Sequence, residues 1–162
     1  MRLVLMGVAG CGKSSVGAAL SAATGLPYRD GDDLHPASNI SKMSAGHPLT
    51  DDDRWPWLDL VGQALRSGQM IIGCSALRRV YRERITAAAP VCFVHLQGSR
   101  AVIEARMRAR QGHFMPPALL DSQFATLEPP GPDENAVVVG IDQPLRGIVA
   151  EIMQALAKQP GR

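Results

Sequence analysis

The sequence predicts an α/β domain in which helices cover both faces of a parallel β-sheet. Apolar runs of strand length alternate with helical patterns along the chain, and the central runs are almost entirely apolar. A glycine-rich turn joins the first run to a helix. The chain has 162 residues, of which 46% are hydrophobic. This length is enough to bury a sizeable core, so we expect one domain spanning residues 1–162.

Five short apolar runs predict the strands. Residues 70–73 are apolar, and residues 91–96 are apolar apart from His95, as expected for parallel strands that are buried on both faces. Because helical patterns separate successive runs, the strands should be parallel and joined by right-handed crossovers. The predicted strands are residues 2–6, 26–30, 70–73, 91–96 and 136–141.

Capping residues and glycines indicate the helix boundaries. Thr50 is followed by three aspartates, which suit the positive end of a helix, and Gly68 is a typical stop. Pro144 stands near the first turn of a closing helix with one apolar face. Residues 111–135 are rich in glycine and proline and predict a mobile segment. The predicted helices are residues 13–24, a stretch before Gly46, 51–67, 77–88, 99–110 and one beginning near 145.

A phosphate-binding loop is the most specific local motif. Residues 7–14 read GVAGCGKS and satisfy G-x-x-x-x-G-K-[ST] between a predicted strand and a predicted helix. The glycines let successive backbone N–H groups point at phosphate oxygens, and the helix adds its positive end. We expect Lys13 to bridge the outer phosphates and Ser14 to ligate Mg²⁺. The motif therefore predicts nucleotide binding.

The same region has a second interpretation, a bacterial export signal that ends at a lipid-anchored Cys11. Only Met1 and Arg2 precede the apolar run, whereas such signals have a charged leader and about 15–30 residues before cleavage. The net charge of +2 is too balanced for a nucleic-acid or membrane-surface protein. Three cysteines without metal-ligand spacing suit a reducing compartment. We expect a cytoplasmic protein that binds neither nucleic acid nor membrane.

Acidic residues follow the second predicted strand, where side chains should face the crevice beyond the carboxyl ends of the sheet. Asp30 and Asp32 are expected to hold the metal or to orient an acceptor hydroxyl, and Asp33 is interpreted as a turn former. The third strand ends at residues 73–75 as GCS, without the acid that usually closes a Walker B strand. The second-strand acids are therefore the best candidates for the metal. The sequence leaves open which of them takes a proton.

Arginines supply the remaining charged candidates. Arg106 and Arg110 are four residues apart and share a helix face, so we interpret them as lid residues that close over transferring phosphate. The alternative is a solvated basic face. His35, beside the acids, is the histidine expected near substrate. Four arginines follow the third strand, and at least one could bind an anionic acceptor, although the sequence does not choose among Arg78, Arg79, Arg82 and Arg84.

Together these motifs resemble the bacterial-type gluconokinases, small P-loop kinases related in fold to shikimate and adenylate kinases. The resemblance rests on residues 7–14 and, most specifically, on DGDDLHPASNISKMSAGHPLTDDDRWPWL at residues 30–58. CSALRRVYRERI, ARMRARQGHFM, SQFATLEPP and IDQPL follow in that order, so nearly the whole chain is covered. The resemblance implies a three-layer P-loop kinase fold, with a five-stranded parallel sheet, helices on both faces and a mobile lid at about residues 106–120.

The resemblance also implies the reaction, which is transfer of the ATP γ-phosphoryl group to the C6 hydroxyl of D-gluconate with Mg²⁺, in a cytoplasmic homodimer. Another small-molecule or nucleoside-monophosphate kinase of this fold, or a noncatalytic ATP-binding regulator, is the alternative. The implied catalytic residues are Lys13, Asp32, Arg106 and Arg110, and the implied metal ligands are Ser14 and Asp30. The implied nucleotide contacts are Gly7, Gly10, Cys11, Gly12, Lys13, Ser14, Ser15, Arg106, Arg110, Gln143 and Pro144. The implied acceptor contacts are Asp32, His35, Lys42, Arg54, Ser75 and Arg82.

Overall fold

A five-stranded parallel sheet forms the centre of the computed structural model, which describes residues 1–110 and 117–159. The order of the strands is β2-β3-β1-β4-β5, and each neighbouring pair is parallel. The prediction of five parallel strands is confirmed. Their bounds are β1 Arg2–Met6, β2 Tyr28–Asp30, β3 Met70–Gly73, β4 Cys92–Gln97 and β5 Ala136–Gly140.

Seven α-helices and one 3₁₀ turn connect the strands within the described residues. Thr50 caps α3 as predicted, through a reciprocal capping box with Asp53. No helix in this part of the chain combines the length and the apolar character needed to cross a bilayer. The helices are α1 Lys13–Thr24, α2 Ala37–Ser44, α3 Asp51–Ser67, α4 Arg79–Thr86, α5 Arg100–Ala109, α6 Pro117–Thr126 and α7 Leu145–Lys158, and the 3₁₀ turn is Gly31–Leu34.

Alternation along the strands divides the core into two layers. Leu3 and Leu5 of β1 pack in a cluster that includes buried residues of α1, α5 and α7. Val4 and Met6 face the opposite way, into a cluster with buried residues of α3 and α4. Successive side chains of a strand point to opposite faces, so one apolar run serves both layers. The three-layer arrangement expected from the sequence is confirmed.

The sequence did not predict helix α6, which lies within the segment that was interpreted as mobile. Pro117 occupies its first position, where proline is favoured because that N–H needs no helical partner. Leu120 is only 2% exposed and joins the core cluster of α1 and α7. Residues 111–116, which fall in the predicted lid, lie outside the described residues.

The carboxyl ends of β1, β2 and β3 bring three connections to one edge of the sheet. β1 leads into the phosphate loop, β2 into the 3₁₀ turn and β3 into residues 74–78. Tyr28 of β2 packs between α1 and β3, where a Cβ on Gly17 would lie 2.2 Å from its ring and one on Gly73 would lie 2.5 Å from its hydroxyl oxygen. The absence of side chains at these two glycines therefore permits the close approach of β2, and with it the acids that follow.

Candidate active site

The phosphate loop adopts a backbone shape that requires glycine. Gly10 and Gly12 have φ of 80° and 97°, in the left-handed region that other residues rarely adopt. Gly7 has φ of 144°, and a Cβ there would lie 2.9 Å from the carbonyl oxygen of Leu96. The loop therefore passes close to β4 before it turns into α1.

A row of backbone N–H groups in this loop has no acceptor among residues 1–110 and 117–159. The first N–H groups of a helix have no intrahelical partner, and Gly12 at the N-cap of α1 offers no side chain to accept from them. Donors of this kind, together with the helix dipole, bind phosphate. The unpaired donors include the amides of Gly10, Gly12, Lys13, Ser14 and Ser15.

Two cationic side chains lie at this loop. Lys13 folds back over it, and Nζ donates to the carbonyl oxygens of Gly7 at 3.0 Å and Val8 at 3.2 Å. Arg106 of α5 approaches from the other side, with Nη1 3.6 Å from the position of a Cβ on Gly12. The structure thus brings Lys13 and Arg106 together at the phosphate loop. Arg110 is exposed and ends the first described stretch.

The connection from β5 to α7 borders the same region. Arg106 Nη2 donates to the carbonyl oxygens of Ile141 and, at 3.5 Å, of Gln143. Gln143 donates to the carbonyl oxygen of Gly140 at 2.8 Å, and Pro144 caps α7. A cavity of about 390 Å³ lies beside this connection, with Gly98, Val102 and Asp142 among its lining residues. Arg106 therefore lies between the phosphate loop and the connection that contains Gln143 and Pro144.

The acids after β2 lie within electrostatic reach of Lys13. Asp30 accepts a hydrogen bond from the backbone N–H of Asp32 at 2.9 Å and thereby caps the 3₁₀ turn. The Asp32 side chain is 81% exposed. Its pKa is raised, because protein atoms around the carboxylate reduce its hydration and Asp30 adds a second negative charge, while His35 and Lys13 oppose the rise. Asp32 thus has an accessible carboxylate with increased proton affinity.

Cys74 occupies the end of β3, where a Walker B acid is absent. The residue is only 2% exposed. Burial raises the pKa of its thiol to about 12, so the side chain is neutral at physiological pH. Cys74 therefore does not replace the missing carboxylate, and Asp32 is an acid on which the charge of Lys13 acts.

His35 is held between an aromatic ring and an amide. Its imidazole stacks on the indole of Trp57, with ring centroids 4.1 Å apart, and Nδ1 lies 3.3 Å from Nδ2 of Asn39. Burial lowers its pKa, and the positive charge of Arg54 acts in the same direction. Trp57 also donates to the carbonyl oxygen of Gly31 at 2.8 Å. Helix α3 thus fixes both the 3₁₀ turn and a neutral histidine beside Asp32.

Arg54 belongs to a group of charged side chains around Tyr81, which we call the Tyr81 cluster: Asp51, Arg54, Arg78 and Tyr81. The guanidinium carbons of Arg54 and Arg78 lie 5.6 and 5.5 Å from the centroid of the Tyr81 ring. Both arginines contact Asp51, at 3.5 Å from Arg54 and 2.6 Å from Arg78. Their side chains are 32% and 37% exposed. Arg78 is therefore the arginine after β3 that joins Arg54.

Lys42 is paired with Asp53 of α3, and Ser75 lies at the phosphate loop. Lys42 forms an ion pair with Asp53 at 2.5 Å, and its side chain remains 34% exposed. Hydrogen bonds from Lys42 and the Thr50 backbone lower the pKa of Asp53 to about 2. The carbonyl oxygen of Ser75 accepts from the N–H of Gly7 at 3.2 Å, which places Ser75 directly beside the phosphate loop.

Arg82 has a structural position, which corrects the expectation that it contacts substrate. Its side chain is 1% exposed. Nε and Nη2 donate to the Glu134 carboxylate at 2.6 and 3.0 Å, and Nη1 donates to the carbonyl oxygens of Ala76 and Leu77. Since its guanidinium is occupied inside the fold, Arg82 holds α4 against the segment before β5.

The glycine loop with its unpaired amides, the adjacent lysine and the parallel sheet define a P-loop kinase. A solved shikimate kinase from Aquifex aeolicus shares this fold, with a TM-score of 0.61 at 17% identity over 97% of this chain and 96% of that one. Relatives of higher identity show which family of this class the chain belongs to.

The chain belongs to the gluconokinase family. It is 45% identical to the thermoresistant gluconokinase of Escherichia coli (strain K12), over 96% of this chain and 93% of the relative. It is 46% identical to a gluconokinase of Gluconobacter oxydans, over 85% and 80%. A crystal structure of a gluconokinase from Sinorhizobium meliloti 1021 superimposes with a TM-score of 0.90 at 50% identity, over 97% and 91%. No protein-family model matches the chain.

The position of Arg82 predicts a loss of stability rather than of substrate affinity. We expect Arg82→Met to lower the free energy of unfolding by about 3 kcal/mol, because it leaves the Glu134 carboxylate without its buried partner. The gluconate KM, measured where the variant is folded, should change by less than about two-fold. Denaturant titration and steady-state kinetics measure the two quantities.

Arg79→Met on the same helix is the matched control, since Arg79 pairs with Asp133 at the surface. It should cost far less stability. A gluconate KM that rises strongly in Arg82→Met while stability is retained would return Arg82 to the acceptor site.

Proposed function

We propose that this protein transfers the γ-phosphoryl group of ATP to the C6 hydroxyl of D-gluconate, giving 6-phospho-D-gluconate and ADP. Family membership supports this reaction. The observation that carries it is the juxtaposition of the loop amides and Lys13 with the accessible Asp32 carboxylate. Hydrogen-bond donors for phosphate and a potential proton acceptor therefore lie at the same edge of the sheet.

The nucleotide half of the site uses the phosphate loop. The unpaired amides of Gly10 and of residues 12–15 bind the phosphate chain, and Lys13 leaves its carbonyl partners to reach the outer phosphates. Arg106 adds positive charge, and Arg110 joins it from a lid at about residues 106–120. Gln143 and Pro144 form part of the wall against the adenine.

Oxygen ligands at the loop fit Mg²⁺. The Ser14 hydroxyl and the Asp30 carboxylate are hard oxygen donors of the kind that Mg²⁺ prefers. When bound, the ion neutralises negative charge on the phosphate oxygens. The chain itself holds the donors in place through α1 and through the cap that Asp30 forms on the 3₁₀ turn.

The acceptor half begins at Asp32. As the C6 oxygen attacks the γ-phosphorus and the bond to the β-phosphate oxygen breaks, Asp32 takes the hydroxyl proton and ADP leaves. This assignment favours Asp32 over Asp30 as the base, because Asp30 Oδ1 already accepts from the Asp32 backbone. In this proposal neutral His35, whose Nε2 lies 3.9 Å from Asp32 Oδ1, hydrogen-bonds a hydroxyl group of the polyol, and Lys42 and Ser75 supply further polar contacts.

The carboxylate of gluconate binds at the Tyr81 cluster. Arg54 and Arg78 are both cationic, and each is partly exposed. An arginine pair of this kind suits a carboxylate, which accepts charge-assisted hydrogen bonds on both oxygens. Gluconate then lies with its C6 end at Asp32 and its C1 end at α3 and α4. We further propose that the enzyme is cytoplasmic and acts as a homodimer.

A coupled assay of ADP release with Mg-ATP tests the reaction. We expect turnover with gluconate, and little with shikimate, AMP or no acceptor, because only gluconate carries a carboxylate at the far end of an open polyol. Lys13→Ala should abolish turnover as the control for the phosphate loop. Turnover with another acceptor would keep the kinase and change its substrate. ATP binding without turnover on any acceptor would favour a noncatalytic regulator.

The Tyr81 cluster predicts a change in gluconate affinity alone. Arg54→Ala and Arg78→Ala should each raise the gluconate KM roughly 10- to 100-fold, since each removes a charge-assisted hydrogen bond. The ATP KM should stay within about two-fold. Arg84→Ala is the matched control, because Arg84 lies on α4 but pairs with Asp59. An equal rise in both KM values would remove these arginines from the acceptor site.

The raised pKa of Asp32 predicts the acid limb of the pH profile. The ionised carboxylate is the active form, so kcat falls as pH decreases through this pKa, which lies above the ordinary value of 3.8. Asp32→Asn should lower kcat roughly 10²- to 10⁴-fold at neutral pH. Asp33→Asn, a neighbouring exposed acid, is the control and should retain the limb. If the acid limb of the kcat–pH profile is unchanged in Asp32→Asn, a group other than Asp32 accepts the hydroxyl proton.

A further inference from the structure

Helix α6 contacts the phosphate loop through one side chain. Oε1 of Gln123 accepts a hydrogen bond from the backbone N–H of Ala9 at 2.6 Å. A backbone N–H can only donate, so the oxygen of the carboxamide must be the atom that faces the loop. The two residues are 114 positions apart in the chain. The contact therefore links the second half of the chain to the loop backbone.

Because the Ala9 amide donates to Gln123, it differs from the loop amides that are free to bind phosphate. Gly7 N–H donates to the Ser75 carbonyl oxygen, and Cys11 N–H donates to that of Val8. The amides of Gly10 and of residues 12–15 have no acceptor in the described parts of the chain. Among the loop amides described, that of Ala9 is the one held by a side chain. Gln123 thus fixes the backbone immediately before the unpaired amide of Gly10.

Helix α6 is anchored firmly enough to act as a support. Leu120 is buried in the same core cluster as Val8 and Cys11 of the loop. Beyond the helix, the N–H of Glu128 donates to the Leu77 carbonyl oxygen at 2.8 Å, and its carboxylate accepts from the N–H of Arg79 at 2.6 Å. Gln123 is therefore carried by an element tied to the core and to the connection after β3.

Helix α5 contacts the loop from the other side. A Cβ on Gly10 would lie 2.8 Å from Cγ of Met107, and one on Gly12 would lie 3.6 Å from Nη1 of Arg106. The helices before and after residues 111–116 therefore both lie against the loop, through Gln123 at Ala9, Met107 at Gly10 and Arg106 at Gly12.

We propose that Gln123 is a positioning residue for phosphoryl transfer. By holding the Ala9 amide it fixes the curvature of the phosphate loop, so that the following amides face the phosphate chain. Through the same bond it couples the loop to α6. The effect on kcat rests on the kinase reaction proposed above, whereas the effect on nucleotide binding does not.

Gln123→Met tests this role, because methionine keeps the length of the side chain and removes the acceptor. We expect the Kd for ADP, measured by calorimetry, to rise roughly 10-fold and kcat to fall by a similar factor, with the gluconate KM within about two-fold of the parent. Hydrogen exchange of the Ala9 amide should accelerate. Ser122→Ala, at the preceding exposed position of α6, is the control and should change none of these quantities.

A second variant, Gln123→Ala, protects the test against a packing fault specific to methionine. An ADP Kd and a kcat within about two-fold of the parent in either folded variant would overturn the proposal. A weakened Kd with faster Ala9 exchange supports it even if the parent does not phosphorylate gluconate, in which case the proposed function alone fails. A lower melting temperature with unchanged ADP affinity would reduce Gln123 to a packing role.

Discussion

The structure depends on a set of backbone amides that the protein leaves unpaired. Buried or half-buried N–H groups normally find a partner, and leaving them without one costs free energy. Here the unpaired donors of Gly10 and of residues 12–15 lie where α1 begins, and glycine at φ of 80° and 97° gives the loop its turn. In the proposed reaction, a phosphate chain supplies the acceptors, and the free energy of these new hydrogen bonds contributes to nucleotide affinity.

The acids near the proposed acceptor site differ in pKa according to whether a cationic side chain is paired with them. Asp51 and Asp53 accept hydrogen bonds from neighbouring side chains, and their pKa values are lowered. Among the described residues, the ion-pair partner of Asp32 is His35, at 3.9 Å, and burial lowers the pKa of that histidine. The pKa of Asp32 itself is raised. The base of the proposed reaction must take up a proton, and pairing with a strong cation would lower the proton affinity that this role requires.

Local patterns predicted most of the fold and the phosphate loop. The strands, the phosphate loop and the Thr50 cap each depend on residues that are close in sequence, so the pattern is visible without the fold. Helix α6 was missed because glycine and proline dominate its surroundings, while its stability depends on Leu120 packing in a distant core. The contact of Gln123 with Ala9 spans 114 positions and leaves no local signal.

The four arginines after β3 show why an anion site cannot be read from charge alone. Successive positions on a helix point in different directions. Arg79 pairs with Asp133, buried Arg82 with Glu134 and Arg84 with Asp59. Of the four, Arg78 is the one that lies beside Arg54.

The charges of the Tyr81 cluster favour a monocarboxylate. The cluster holds two guanidinium groups and one carboxylate, and the pKa of Asp51 is lowered, so that its acid is ionised. Two positive charges and one negative charge leave one positive charge, which matches a monocarboxylate. A neutral polyol would leave that charge without a partner, whereas a sugar acid neutralises it. The cluster therefore favours an acceptor that carries a single carboxylate.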